Sequence, residues 1–353
     1  MPALVAGIHV LATKEDVDGR DKPGHDAEGG ETMKAGVASP NGVTIQDVPD
    51  PKPKPTEILI KVKAVSLNRA DLGSAKGDTS HGSSAGKPIG SEFSGEVVEV
   101  GAEAKGFKVG DRVMCHSPGS HAEYAVSDWG RAMPIPANLS YEQGASLPIG
   151  LNTLHDALIT KGRLKAGENV LVQGASSGVG IIGLQIAKLK GAKLVVGSST
   201  NPERRERLKE FGADLTVDTK DSNWPEQVLK ATDGKGLNLT VDMLSGATVS
   251  ATMACTALLG RIVNIGRLAG MKAEFDFDAH ARQRIDYIGV TFRTRTIDEV
   301  REILVKMRAD LWDAVSSGKI TVPIDKTYPL ADAKAGHEHM RGNKHFGKIL
   351  LIP

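Results

Sequence analysis

Between Glu57 and Asn68, in EILIKVKAVSLN, the apolar residues Ile58, Ile60 and Val62 recur at every second position among charged neighbours. A period of two belongs to a strand with one buried face, because successive side chains leave opposite sides of a pleated chain. GEVVEVG, GDRVMC and HAEYAVS follow as similar short runs, each bounded by glycine or proline. Strands so punctuated predict a small β-rich, barrel-like unit, with proline-rich VPDPKPKPTE as a rigid surface turn.

The period changes near Tyr141, where Ala145, Leu151, Leu154 and Leu158 take up helical spacing. From Asn169 onward short apolar strands alternate with helices. The strands are NVLVQG, KLVVGSS, LTVD, LNLTVDML, RIVNIG and IDYIGVTF. The helices between them are predicted at Gly178–Lys190, Pro202–Phe211, Trp224–Thr232 and Thr248–Leu258. Strands joined by crossover helices make an α/β fold with a doubly wound parallel sheet. After Thr296 come a long helix (Ile297–Ser317), a strand in ITVPI, a short helix and a last strand in GKILLIP. The doubly wound sheet is complete without this tail, so the tail is expected to return to the first unit. The expected domains are residues 33–155 with 297–353, and residues 156–296 between them.

A chain of 353 residues suits two such domains better than one core. The formal net charge is +1, with both signs interspersed, and aromatic residues make up 4%. That composition argues against nucleic acid or a membrane surface as partner. Cys115 and Cys255 are the two cysteines, too few for a disulfide framework or a four-cysteine zinc lobe, and they fit a reducing cytoplasm. The first 32 residues differ from the rest. Their short apolar run lacks a basic flank, and Lys14 to Glu31 has little to bury, so that stretch is expected to be disordered. The folded protein is expected to begin at Met33; a genuine flexible arm is the alternative.

Candidate chemistry starts with NVLVQGASSGVGIIGLQIAKLKGAK, a strand running through a small-residue turn into an apolar helix. Such a turn aims backbone N–H groups and a helix N-terminus at a pyrophosphate. Where a strict G-x-G-x-x-G has three glycines, this chain has Ala175, Ser177 and Gly180, all small. The expected phosphate cradle is therefore Ala175, Ser176, Ser177, Gly178, Val179 and Gly180. The next strand runs out as VVGSSTNPERRER, with no acid before Glu203 to take a ribose 2′-OH. Ser198, Ser199 and Thr200, with Arg204 and Arg205 in the first turn of the next helix, are instead suited to a 2′-phosphate, which favours NADPH over NADH. A merely solvated face of Arg204, Arg205 and Arg207 is the competing reading.

SLNRADL (66–72), GSEFSGEVVEVG (90–101), VGDRV (109–113), HAEYAV (121–126), GASSGVG (174–180) and GKILL (347–351) occur in that order. Together they resemble the medium-chain dehydrogenase/reductase superfamily. The match is closest to its zinc-free NADPH:quinone oxidoreductases, the zeta-crystallin-like branch, over residues 33–353. The resemblance implies a GroES-like catalytic domain split around a Rossmann NADP-binding domain. It also implies a homodimer paired through the strand RIDYIGVTF. Zinc-dependent relatives have histidine where this chain has Ser91, and no cysteine occurs in SLNRADL. The expected metal ligands are therefore none.

By position, the resemblance puts Asn68 beside the nicotinamide ribose and the substrate, and Thr153 toward the nicotinamide-side phosphate. Asn264, Ile265 and Gly266 fall near the carboxamide, and Thr291, Phe292 and Arg293 along the cofactor groove or the dimer seam. Asn68 as a simple turn cap competes with its catalytic role, and Arg69 with Asp71 reads as a local ion pair. Relatives commonly carry a tyrosine soon after this loop. Here the sequence is KGDTSHGSSAG, which leaves Ser80 or His81 to stand in, His81 as a candidate proton donor. The expected function is hydride transfer from NADPH to a quinone or conjugated enone, substrates activated by their own conjugation. An enoyl-thioester or 2-enal reductase is the alternative enzyme, and a non-catalytic, crystallin-like NADPH-binding protein the alternative class.

Overall fold

The computed structural model describes residues 31–78 and 86–353. Ser80, His81 and residues 14–30 of the amino-terminal stretch lie outside the described residues.

Ile58, Ile60, Val62 and Ala64 are all at most 3% exposed, so the period of two in Glu57–Ser66 places that strand centrally. It pairs antiparallel with Phe93–Val100, Tyr124–Asp128 and Lys348–Ile352. The full path of this seven-stranded sheet runs Ile324–Pro329, Lys348–Ile352, Glu57–Ser66, Phe93–Val100, Arg112–Cys115 and Ala132–Pro134, with Tyr124–Asp128 off it. Its two latest strands come from the carboxy-terminal tail. A hairpin of Thr32–Ser39 and Gly42–Pro49 precedes it.

The second sheet has six strands, all parallel, in the order Leu215–Val217, Leu194–Ser198, Asn169–Val172, Leu237–Asp242, Thr256–Asn264 and Asp286–Gly289. The doubly wound expectation holds. Val170, Leu171 and Val172 are fully buried, as the middle of a sheet covered on both faces requires. Strand order reverses between Asn169–Val172 and Leu237–Asp242, so a ligand crevice opens at the carboxyl ends of these two. No helix among the described residues is long and apolar enough to cross a membrane.

Two elements differ from expectation. The helix predicted over Thr248–Leu258 stops at Ala254, because Thr256–Asn264 is drawn into the sheet beside Leu237. Leu258, the last residue of the expected helix, and Leu259 are 59% and 57% exposed on that strand. In ITVPI the ladder begins only at Ile324. Pro323 has no N–H to donate and serves instead through its carbonyl, which accepts from Lys348 N at 2.9 Å.

Candidate active site

At the crevice the strand Asn169–Val172 passes through Gln173–Ser177 into the helix Gly178–Leu189. Gly174 takes a positive φ of 68° to turn the chain. Ser177 caps the helix: its hydroxyl accepts from Gly180 N at 3.0 Å and donates to Gly174 O at 2.9 Å. A Cβ at Gly180 would lie 2.6 Å from Ala175 Cα, so helix and turn touch through their backbones. A Cβ at Gly178 would lie 2.6–2.8 Å from three carbons of the Lys348 side chain, which crosses the helix start. Gly347 bridges to Ser177 beside it. The last barrel strand thus lies against the phosphate turn.

A cleft of about 950 Å³ runs along this turn. Ser176, Ser177, Gly178 and Val179 line it, while Ala175 and Gly180 sit beneath as packing. At one end Ser198, Ser199, Thr200 and Arg204 join them, as do Lys220 and His345, which the sequence reading missed. Ser198 Oγ accepts from Gly174 N at 3.0 Å, and Ser199 Oγ lies 3.1 Å from Ser176 Oγ, so the second strand is tied to the turn. Arg204 donates to the His345 carbonyl at 3.1 Å. Its neighbours turn elsewhere. Arg205 pairs with Asp218 at 2.8 Å, and Arg207 lies 4.0 Å over the Phe346 ring. Burial, and the nearby cations Arg69 and Arg204, hold His345 down to about 4.

Toward the middle of the cleft, Asn68 is held on every side. Its Nδ2 donates to Ser66 O at 3.2 Å and to Glu92 Oε2 at 2.9 Å, and its Oδ1 accepts from Lys348 Nζ at 2.9 Å. The ammonium fixes the amide orientation, since a flipped amide would face it with N–H groups. Lys348 also pairs with Glu92 at 2.5 Å, with both side chains at most 3% exposed. Glu92 Oε1 accepts from Ile149 N at 2.7 Å. Both amide hydrogens of Asn68 are therefore committed, and it meets a ligand only as an acceptor.

The expected Arg69–Asp71 pair does not form. Arg69 donates to Met340 O at 3.0 Å and Asn343 Oδ1 at 2.9 Å. Asp71 instead accepts from Asn68 N at 2.7 Å and from Ser91 Oγ at 3.3 Å. Burial raises its carboxyl to about 7 despite those hydrogen bonds and nearby Lys348.

Thr153, Ile265, Gly266, Thr291, Phe292 and Arg293 line the cleft with Asn68. Asn264 does not; its amide donates to Gly266 O at 2.9 Å and to Ser245 Oγ, bracing the turn below. The unforeseen lining residues include Lys348, Lys220, His345, His116 and Arg131. Lys348 had one readable signal, a charge at the head of an otherwise apolar strand.

Residues 54–137 match the model of the alcohol dehydrogenase GroES-like domain, and residues 178–309 that of the zinc-binding dehydrogenases. Quinone oxidoreductase of Rattus norvegicus is 30% identical over 309 residues, covering 87% of this chain and 92% of the rat protein. The chain belongs to the quinone oxidoreductase branch of the medium-chain dehydrogenase/reductases. A mycobacterial protein solved in complex with NADPH superposes with a TM-score of 0.82 at 27% identity, over 92% of this chain and 100% of that one. Reducing polyketide synthase hmp8 of Hypomyces subiculosus is 28% identical over 316 residues, covering 87% of this chain and 13% of that protein.

Proposed function

We propose that this protein is an NADPH-dependent reductase that passes hydride to a quinone or conjugated enone without a metal. The observation that carries the reading is the cleft itself. It runs from a helix-capped phosphate turn past Ser199, Thr200, Arg204 and Lys220, and no aspartate or glutamate lines it among the described residues. A dinucleotide with a pyrophosphate and a 2′-phosphate matches that charge. NADH would leave Arg204 and Lys220 without their anion.

Bound NADPH supplies the hydride, and the acceptor takes it together with a proton from solvent or His81. The chain's own residues position and polarise. Ser176, Ser177, Gly178 and Val179 receive the pyrophosphate. Lys348 has three ammonium hydrogens and spends two on Asn68 and Glu92, which leaves one for a ligand oxygen above Gly178. Asn68 accepts from a ribose hydroxyl, and Thr153, Ile265, Gly266, Thr291, Phe292 and Arg293 flank the nicotinamide. Ser91 stands where the zinc-dependent relatives carry histidine, and its hydroxyl is already given to Asp71, which favours a reaction without zinc. Conjugation in the acceptor then replaces the Lewis acid.

The polyketide synthase relative favours a second reading, reduction of an enoyl thioester. NADPH oxidation with a panel of quinones, enones, 2-enals and crotonyl thioesters separates the two: turnover confined to thioesters overturns the quinone or enone reading, and absence of turnover with all of them leaves a non-catalytic NADPH binder. A second copy of the chain is the proposed partner, docked along Asp286–Gly289, an edge strand whose Tyr287 is 37% exposed. Sedimentation velocity showing only monomer would remove it.

A further inference from the structure

The cleft holds more positive charge than a dinucleotide neutralises. Beyond the phosphate turn its wall includes His116, Arg131, Phe292 and Arg295. Arg295 has its counter-charge, pairing with buried Asp156 at 2.5 Å. Arg131 has none. It is half-buried, its guanidinium donates to the His116 carbonyl at 3.2 Å, and it forms no ion pair among the described residues. The nearest acid in sequence is already taken. Asp128 accepts from Arg301 Nε at 3.0 Å, from a terminal nitrogen of Arg301 at 2.8 Å, and from Gly130 N at 2.9 Å. A half-buried guanidinium that shares its nearest carboxylate with Arg301 is under-neutralised, and a ligand carboxylate would complete it. Burial also lowers its affinity for its proton, with Asp128 acting the other way.

Around it the wall suits a flat conjugated acceptor. The His116 ring meets the Phe292 ring at 4.9 Å, and Pro118, Leu268 and Val290 supply apolar surface. We infer that Arg131 is a specificity-determining residue that binds a carboxylate carried by the acceptor, so that the preferred substrates are conjugated ketones or quinones bearing an acid group. A planar fork matches a carboxylate bidentately, and an uncharged acceptor of the same shape leaves that fork unmatched. This inference rests on the reductase reading and deepens it.

The test uses benzoylacrylate and its methyl ester, which share an enone and differ by one charge. The full-length enzyme is expected to show a KM roughly tenfold or more lower for the acid, the worth of a charge-assisted hydrogen bond. Arg131→Gln is expected to raise KM for the acid by a similar factor, leaving the ester's kcat/KM and the NADPH Kd within about twofold; Arg131→Lys restores part of the loss. Calorimetric titration of the acid into the NADP⁺-loaded protein reads the same contact without turnover, and binding should weaken in Arg131→Gln. Equal losses for acid and ester, or a wild type that does not discriminate, overturn the inference. If the wild type reduces neither compound, binding decides: tight, Arg131-dependent binding of the acid over the ester upholds the contact, equal binding of the two overturns it, and the reductase reading is judged separately on the wider substrate panel. A lower melting temperature for Arg131→Gln transfers the decision to Arg131→Lys, whose unchanged acid KM would also overturn it.

Discussion

Lys348, Glu92 and Asn68 form a unit in which each residue depends on the other two. Replacing Lys348 with Met leaves the Glu92 carboxylate buried beside only two N–H donors. Breaking a buried pair in this way costs about 3–5 kcal/mol, so urea denaturation of Lys348→Met should show a loss of that size. Arg204→Ala bears on cofactor choice: NADPH Kd should rise roughly tenfold or more while NADH Kd barely moves, measured by quenching of protein fluorescence. At this scale the sequence reading turned on missing residues: no acid follows VVGSS, which suggested Arg204 and Arg205, and Ser91 stands where a histidine would bind zinc. The structure puts Arg204 and Ser91 on the cleft and turns Arg205 to Asp218. The sequence was unreadable where chemistry depends on a distant partner. Nothing near Lys348 announces that Glu92, 256 positions away, will share its charge. Arg131 is equally silent, because its significance lies in a carboxylate it does not meet.

Periodicity carried most of the elements. The parallel strands are continuous apolar runs, and Ile297–Ser316 is fixed at its start by a capping box in which Thr296 and Glu299 exchange side-chain to backbone hydrogen bonds. Thr296→Ala should cost about 1 kcal/mol in chemical denaturation, with little change in NADPH binding. The misread elements failed for local reasons that tertiary pairing overrode. ACTALLG has a helical look, yet Leu237 recruits Thr256 to the sheet, and Leu259, with a φ of 61°, lies in the irregularity between the Thr256 and Arg261 pairings. Pro323 looked like part of a strand, but a ladder position needs the N–H that proline lacks.

For the molecule as a whole, acid should be the destabilising direction. His121 and His337 meet at 3.1 Å through their Nε2 atoms in the interior, an arrangement that requires at least one neutral ring. Burial holds His121 well below 6.5 and His337 at about 4, and His345 is held near 4 as well. In the unfolded chain these rings take protons near 6.5, so between about 6.5 and 4 the unfolded state binds more protons than the folded one. Stability is thus fully present above 6.5 and is lost as pH falls toward 4. Asp71 opposes this: its raised carboxyl makes folding less favourable as pH rises from 4 through 7. Melting temperatures from pH 7.5 to 4.5 should fall, and His337→Gln should flatten the slope. The two-sheet plan was legible because each sheet has its own period. The cleft's full wall was not, because it draws on residues from 67 to 348.

The crossing of Gly347 and Lys348 over the phosphate turn also sets an order of events. The six parallel strands are all available once residue 289 has left the ribosome, and much of the antiparallel sheet is available earlier still. The stretch that completes the cofactor cleft is synthesised some sixty residues later, and its strand must pair with Glu57–Ser66 across most of the chain. Long-range pairings of this kind form slowly. A nascent chain therefore passes through an interval in which the residues of the phosphate turn have been made but Glu92 still lacks its ammonium partner, Lys348.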